Sequence, residues 1–203
     1  MKIEIYTGGL LQTNAYLIHA PQGLILVDAP EGVFDWLGGK KPDHLLLTHG
    51  HYDHMFDAAQ LKDDSGCKVW VHDDSRFLVE HPETMLPFSP YSHIEPVKAD
   101  TGIAESKNFP VAGIAFQTFL CPGHCPGSIC FHDAASKVLY GGDVLFAGGV
   151  GRWDLPDGSF EQLEDAICNK LYKLPDETKV LPGHGPATTI GVEKRTNPFV
   201  KGK

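Results

Sequence analysis

Residues 44–54 read His44-Leu45-Leu46-Leu47-Thr48-His49-Gly50-His51-Tyr52-Asp53-His54. The opening run is almost wholly apolar, the pattern of a strand covered on both faces. It breaks at Thr48 into a loop carrying four groups able to ligate a cation: His49, His51, Asp53 and His54. Side chains two apart on extended backbone point the same way, so His49 and His51 converge, and Asp53 and His54 open the next element. One such histidine would read as an ordinary solvated loop residue. Four together would leave several polar groups unsatisfied unless a cation joined them.

Working outward, three positions repeat the setting of a strand end followed by a tight turn. They are His124 in Cys121-Pro122-Gly123-His124, Asp143 in Gly141-Gly142-Asp143, and His184 in Pro182-Gly183-His184-Gly185. Glycine at such turns lets the backbone crowd a site. Upstream, short strands are expected at 3–6, 15–19 and 24–27, separated by Gly8-Gly9 and Pro21-Gln22-Gly23. Downstream we expect a helix over 57–63, a strand over 68–71 and a helix from Asp73. Residues 81–110, rich in Pro, Ser and His, read as irregular connection. Further strands follow at 114–120, 129–132, 137–141 and 179–181. Ser159-Phe160-Glu161-Gln162 reads as a capping box, with Leu163, Ile167 and Leu171 on one helical face. Periodicity alone therefore gives a layered α/β arrangement, and the absence of linkers or repeats gives one domain over 1–203.

With 203 residues the chain can bury about 70% of its unfolded surface without covalent staples. Its formal charge of −9 argues against nucleic-acid and anionic-membrane partners. Met1-Lys2-Ile3-Glu4-Ile5 lacks the pattern of a secretory leader, and no apolar run reaches the roughly 20 residues of a membrane span, so a cytoplasmic location is expected. Five cysteines, an odd count with no Cys-x-x-Cys pair, fit reduced thiols. Cys121, Cys125 and Cys130 are expected to be neither ligands nor disulfide partners, with Cys125 a packing residue. The histidines at 19, 44, 72, 81, 93 and 132 have no ligand context and are expected to be exposed or satisfied.

The motifs Thr48–His54, Pro122-Gly123-His124, Gly142-Asp143-Val144-Leu145-Phe146, Gly151-Arg152 and Pro182-Gly183-His184-Gly185 resemble the metallo-β-lactamase superfamily over essentially the whole chain. The resemblance is greatest to short glyoxalase II-like thioester hydrolases, which share the tail seen here from Glu193 to Phe199. It implies a four-layer αββα sandwich of two mixed sheets with outer helices, and a centre of two divalent metal ions. Zinc is the first expectation, with iron or manganese as alternatives, because an all-N/O ligand set forces none of them. By resemblance His49, His51 and His124 hold one metal, Asp53, His54 and His184 the other, and Asp143 bridges them. Asp53, His54 and Asp143 are thus the expected catalytic groups. Asp28 matches a carboxylate that orients a ligating imidazole. Arg152 and Lys194 match contacts to a glutathione-derived substrate.

Two such metals, roughly 3.5–4 Å apart, supply hydroxide from a bridging water at neutral pH, and a thioester suits them because thiolate leaves without a dedicated acid. The alternative is an oxidoreductase like the persulfide dioxygenases, matched by Gly151-Arg152-Trp153-Asp154. That chemistry needs one iron on His49, His124 and Asp143. Nuclease activity and a non-catalytic binding role are weaker readings, given the acidic charge and the complete ligand set.

Overall fold

The protein is described by a computed structural model covering residues 1–202. One six-stranded sheet has the order β1 (Lys2–Gly8), β2 (Thr13–Ala20), β3 (Gly23–Val27), β4 (His44–Leu46), β5 (Lys68–His72), β6 (Thr101–Ile103). Its first three strands pair antiparallel and the rest parallel, so the sheet is mixed. The second six-stranded sheet comprises β7 (Ser106–Val111), β8 (Ile114–Leu120), β9 (Ile129–Asp133), β10 (Val138–Gly142), β13 (Lys179–Pro182) and β14 (Thr188–Thr189). Only the β10–β13 pair in it is parallel. A small ribbon of β11 (Leu145–Phe146) and β12 (Gly149–Val150) follows Asp143.

The layering follows from side chains alternating across each strand. In β2, Tyr16 and Ile18 face the second sheet, where they join Phe116, Phe131 and Tyr140. Ala15 and Leu17 face the other way. There they pack under α1 (Val33–Leu37), α2 (Tyr52–Met55), α3 (Ala58–Ser65) and α4 (Asp73–Glu80). The second sheet does the same with Phe119, Cys130 and Leu139, covered by α5 (Phe160–Asn169) and α6 (Ile190–Thr196). Helices, two sheets and helices again make the four layers. Strands buried on both faces read as apolar runs, and this is why residues 44–47 carry no alternation.

Strand β8 and the start of α4 fall where the sequence places them. The Ser159 hydroxyl caps α5 by accepting the Gln162 backbone N–H at 3.3 Å, but the Ser159 N–H donates to the Gly123 carbonyl, so only half of the expected box forms. Leu171 lies beyond α5, buried in a 3₁₀ turn over Leu171–Lys173. Residues 81–110 are not uniformly irregular, since they hold a 3₁₀ turn (Pro82–Phe88), β6 and most of β7. None of the five cysteines is in a disulfide. His132 departs from expectation: it is buried, and its Nδ1 has no partner. No helix among the described residues is long and apolar enough to cross a membrane.

Candidate metal centre

The loop between β4 and α2 brings His49 and His51 to the edge of both sheets, and the first turn of α2 adds Asp53 and His54. The segments after β8, β10 and β13 deliver His124, Asp143 and His184 to the same place. The seven residues form three overlapping groups: His49, His51 and His124; His49, His54 and Asp143; and Asp53, His54 and His184. Within each group the ligand atoms lie within 4.8 Å of one another.

In the first group His51 Nδ1 is 2.8 Å from His124 Nε2 and 3.1 Å from His49 Nε2, and the latter two are 3.3 Å apart. Their surroundings decide which nitrogens carry hydrogen. His124 Nδ1 faces the Arg152 carbonyl at 2.8 Å, which can only accept, so Nδ1 donates and Nε2 keeps its lone pair. The Thr48 hydroxyl donates to Asp28 Oδ2 at 2.8 Å and so accepts from His49 Nδ1 at 3.0 Å. Lone pairs thus point at one small volume, an arrangement that repels itself unless a cation sits between them. Burial depresses all three imidazoles, and with the neighbouring His124 it brings His51 down to about 3. This half of the centre is neutral.

The other half is charged. Asp143 Oδ1 is 3.2 Å from His54 Nε2, while its Oδ2 is 3.3 Å from His184 Nε2 and 3.5 Å from His124 Nε2. One carboxylate therefore faces both halves. Asp53 Oδ2 lies 3.3 Å from His184 Nε2 and 3.4 Å from His54 Nε2. Burial works against the charge on Asp53, yet His54 and the hydrogen bond of His184 bring it down to about 2. Burial would also depress His184, but Asp143 and Asp53 carry it up to about 10. His54 Nε2 and Asp143 Oδ1 are both buried and lack hydrogen-bond partners although they are neighbours. Two such atoms aimed past each other fit a third atom between them. The residues present therefore fit divalent cations, and their donors are imidazole and carboxylate alone.

Five of the seven ligands, His49, Asp53, His54, His124 and His184, are held from behind. Asp28, buried and in the left-handed region at φ 60°, accepts from the Thr48 N–H, the Thr48 hydroxyl and His54 Nδ1, each at 2.8 Å. The Leu11 carbonyl accepts from His184 Nδ1 at 3.1 Å, and the Thr13 hydroxyl donates to Asp53 Oδ2 at 2.7 Å. Sequence reasoning missed Leu11 and Thr13, because a backbone carbonyl and a lone threonine carry no motif.

The centre opens into a cleft of about 710 Å³, lined partly by Leu11, Phe77, Met85, Phe88, Phe146 and Arg152. Arg152 borders it, but its exposed guanidinium is engaged by both oxygens of Asp154 at 2.8 and 2.9 Å. Lys194 lies on α6 and pairs with Asp176 at 2.9 Å; it does not line the cleft. The tail motif has a visible structural task instead. Buried Glu193 accepts from the Gly148 N–H at 3.0 Å, and Asn197 donates to the Gly149 carbonyl at 3.0 Å, so α6 pins the turn between β11 and β12. Cys125 is buried beside Ser75, and no cysteine belongs to a ligand group among the described residues.

Fold and site together define a class: the chain belongs to the metallo-β-lactamase superfamily, whose profile matches residues 8–184. Among particular relatives, it is 42% identical over 162 residues to the hydroxyacylglutathione hydrolase GloC of Haemophilus influenzae, covering 78% of this chain and 76% of that one. A crystal structure described as the BLEG-1 B3 metallo-β-lactamase superposes with a TM-score of 0.89 at 34% identity, covering 99% and 100% of the two chains. A second, TTHA1623 in a di-iron-bound form, gives a TM-score of 0.81 at 35% identity, covering 97% and 100%.

Proposed function

We propose that this chain is a metal-dependent hydrolase of thioesters working with two divalent cations. The observation that carries the reading is the single Asp143 carboxylate placed between a neutral three-histidine set and a charged set of Asp53, His54 and His184. His49, His51 and His124 would hold one cation, Asp53, His54 and His184 the other, with Asp143 shared. When bound, the pair would supply hydroxide at neutral pH and a Lewis acid for a substrate carbonyl.

The chain's own residues do the rest. Asp28 fixes the His54 ring, the Arg152 carbonyl fixes His124, and the Leu11 carbonyl fixes His184, so each presents Nε2 to the centre. Every imidazole that lines the cleft belongs to a ligand set, so no free imidazole stands ready to protonate a leaving group. A thiolate needs no proton to leave, whereas an amine does, and this favours thioester over amide. The GloC relative is named for hydroxyacylglutathione, itself a thioester, which supports the thioester bond as the target and leaves the thiol part of the substrate open.

The experiment is metal analysis of the purified chain alongside turnover of S-lactoylglutathione, a small thioester and a chromogenic cephalosporin. Thioester turnover that vanishes with chelator and returns with metal supports the reading. Cephalosporin hydrolysis without thioester hydrolysis would overturn it, as would oxygen uptake with glutathione persulfide at one iron per chain.

A further inference from the structure

The metal centre accounts for the floor of the cleft but not for its walls. Phe77 on α4 is 60% exposed, Phe88 at the end of the 3₁₀ turn 56%, and Leu11 in the β1–β2 turn 49%, yet all three line this one cleft. Three separate segments thus hold large apolar side chains in water around a single opening, joined by half-buried Leu78 and Leu155. Exposed apolar surface gathered at a polar centre marks a binding site rather than a packing accident. The charges on the same walls are unfavourable to an anion. Among the described residues the only lysine or arginine lining the cleft is Arg152, and Asp154 already engages it. Asp74 and Asp157 line it as well, without a lysine or arginine partner in the cleft. A glutathione moiety is net anionic, with a carboxylate at each end, and those ends would meet carboxylates and apolar side chains on the walls, with no lysine or arginine there free to pair them.

We propose that the cleft selects thioesters whose non-reacting part is apolar and uncharged over glutathione thioesters, with Phe77 and Phe88 as specificity-determining residues. This rests on the thioester-hydrolase reading above and narrows its substrate class. Both side chains contact substrate away from the reacting carbonyl, so their contribution falls on KM rather than kcat. Burying one phenyl ring against ligand is worth about ten-fold or more in kcat/KM.

The test uses the metal-replete protein with S-hexanoyl-N-acetylcysteamine, which is neutral and apolar, and with S-lactoylglutathione. In parallel, calorimetry measures binding of their uncleavable thioethers, S-hexyl-N-acetylcysteamine and S-methylglutathione. The expected result is at least a ten-fold higher kcat/KM and tighter binding for the hexanoyl series. The double variant Phe77→Ala, Phe88→Ala should raise KM for the hexanoyl substrate far more than for S-lactoylglutathione, and both residues are exposed enough to be replaced without loss of fold. A preference for the glutathione compounds in turnover and binding overturns the selectivity and leaves thioester hydrolysis standing. No turnover of either ester, with the hexyl thioether still bound in preference, overturns the hydrolase reading and supports the selectivity.

Discussion

At the scale of single residues, Asp143 is the group with the most to lose. It is the one carboxylate that faces both histidine sets. Asp143→Ala should reduce bound metal to one equivalent or fewer and abolish nearly all turnover, as read by metal analysis and assay. Two metals and most of the activity surviving the change would refute its bridging role. Asp28 makes a subtler case. Asn tolerates the left-handed backbone as Asp does, so Asp28→Asn tests the hydrogen bonds and not the φ of 60°. An amide can replace at most one accepting oxygen, which leaves a donor facing a donor at Thr48 or His54. The variant should lose about 1–3 kcal/mol of stability and 10- to 100-fold in metal affinity, measured by denaturant melts and competition with a chelator. Unchanged affinity would show that His54 is oriented by its packing alone. Asp28 was expected through resemblance to the family; Thr13 and the Leu11 carbonyl were not expected, since their roles exist only once the chain has folded.

At the scale of elements, the turns after strands bring the ligands together, and glycine makes the approach possible. A Cβ at Gly183 would lie 2.0 Å from Asp143 Oδ1 and 2.6 Å from His54 Cε1. Gly183→Ala touches no ligand chemically, yet it should cost most of the bound metal while the far-ultraviolet circular dichroism stays native. Full metal content in that variant would show that the turn can yield. The cysteines of β9 and its neighbours give the opposite expectation. Replacing Cys121, Cys125 and Cys130 together with Ala or Ser should leave metal content unchanged, though all three are buried and stability should fall. Loss of a stoichiometric metal would contradict the all-N/O centre. The elements that escaped the sequence share a physical cause. Strand β7 is an edge strand with most of its side chains half or fully exposed, so it shows no apolar alternation. Helix α1 has five residues and starts from a glycine with no side-chain cap, too short for a 3.6-residue period to register. Helix α6 buries a glutamate, Glu193, for the sake of the β11–β12 turn, and so breaks the amphipathic pattern.

At the scale of the whole molecule, the layered α/β character was readable from apolar runs and turns, but the pairing of two mixed sheets was not. Strand order depends on contacts between residues far apart, such as β10 with β13, which no local pattern encodes. The motifs supplied the two mixed sheets, though not their strand order, through resemblance, because a site built from four separated strand ends exists only when those ends meet. A ligand that binds only the folded chain stabilises it by mass action, about 2.7 kcal/mol at one hundred times its dissociation constant. Stripping the metals with a chelator should therefore lower Tm by about 5–10 °C in a chain of this size, and adding them back should restore it. A melting temperature indifferent to chelator would mean that the centre contributes nothing to the native state. The most direct test of the two-cation thioester hydrolase is a titration of metal-free protein with zinc or iron while thioester turnover is followed. Activity should rise with metal and level off at two equivalents per chain. A plateau at one equivalent, or no turnover at any loading, would contradict the account.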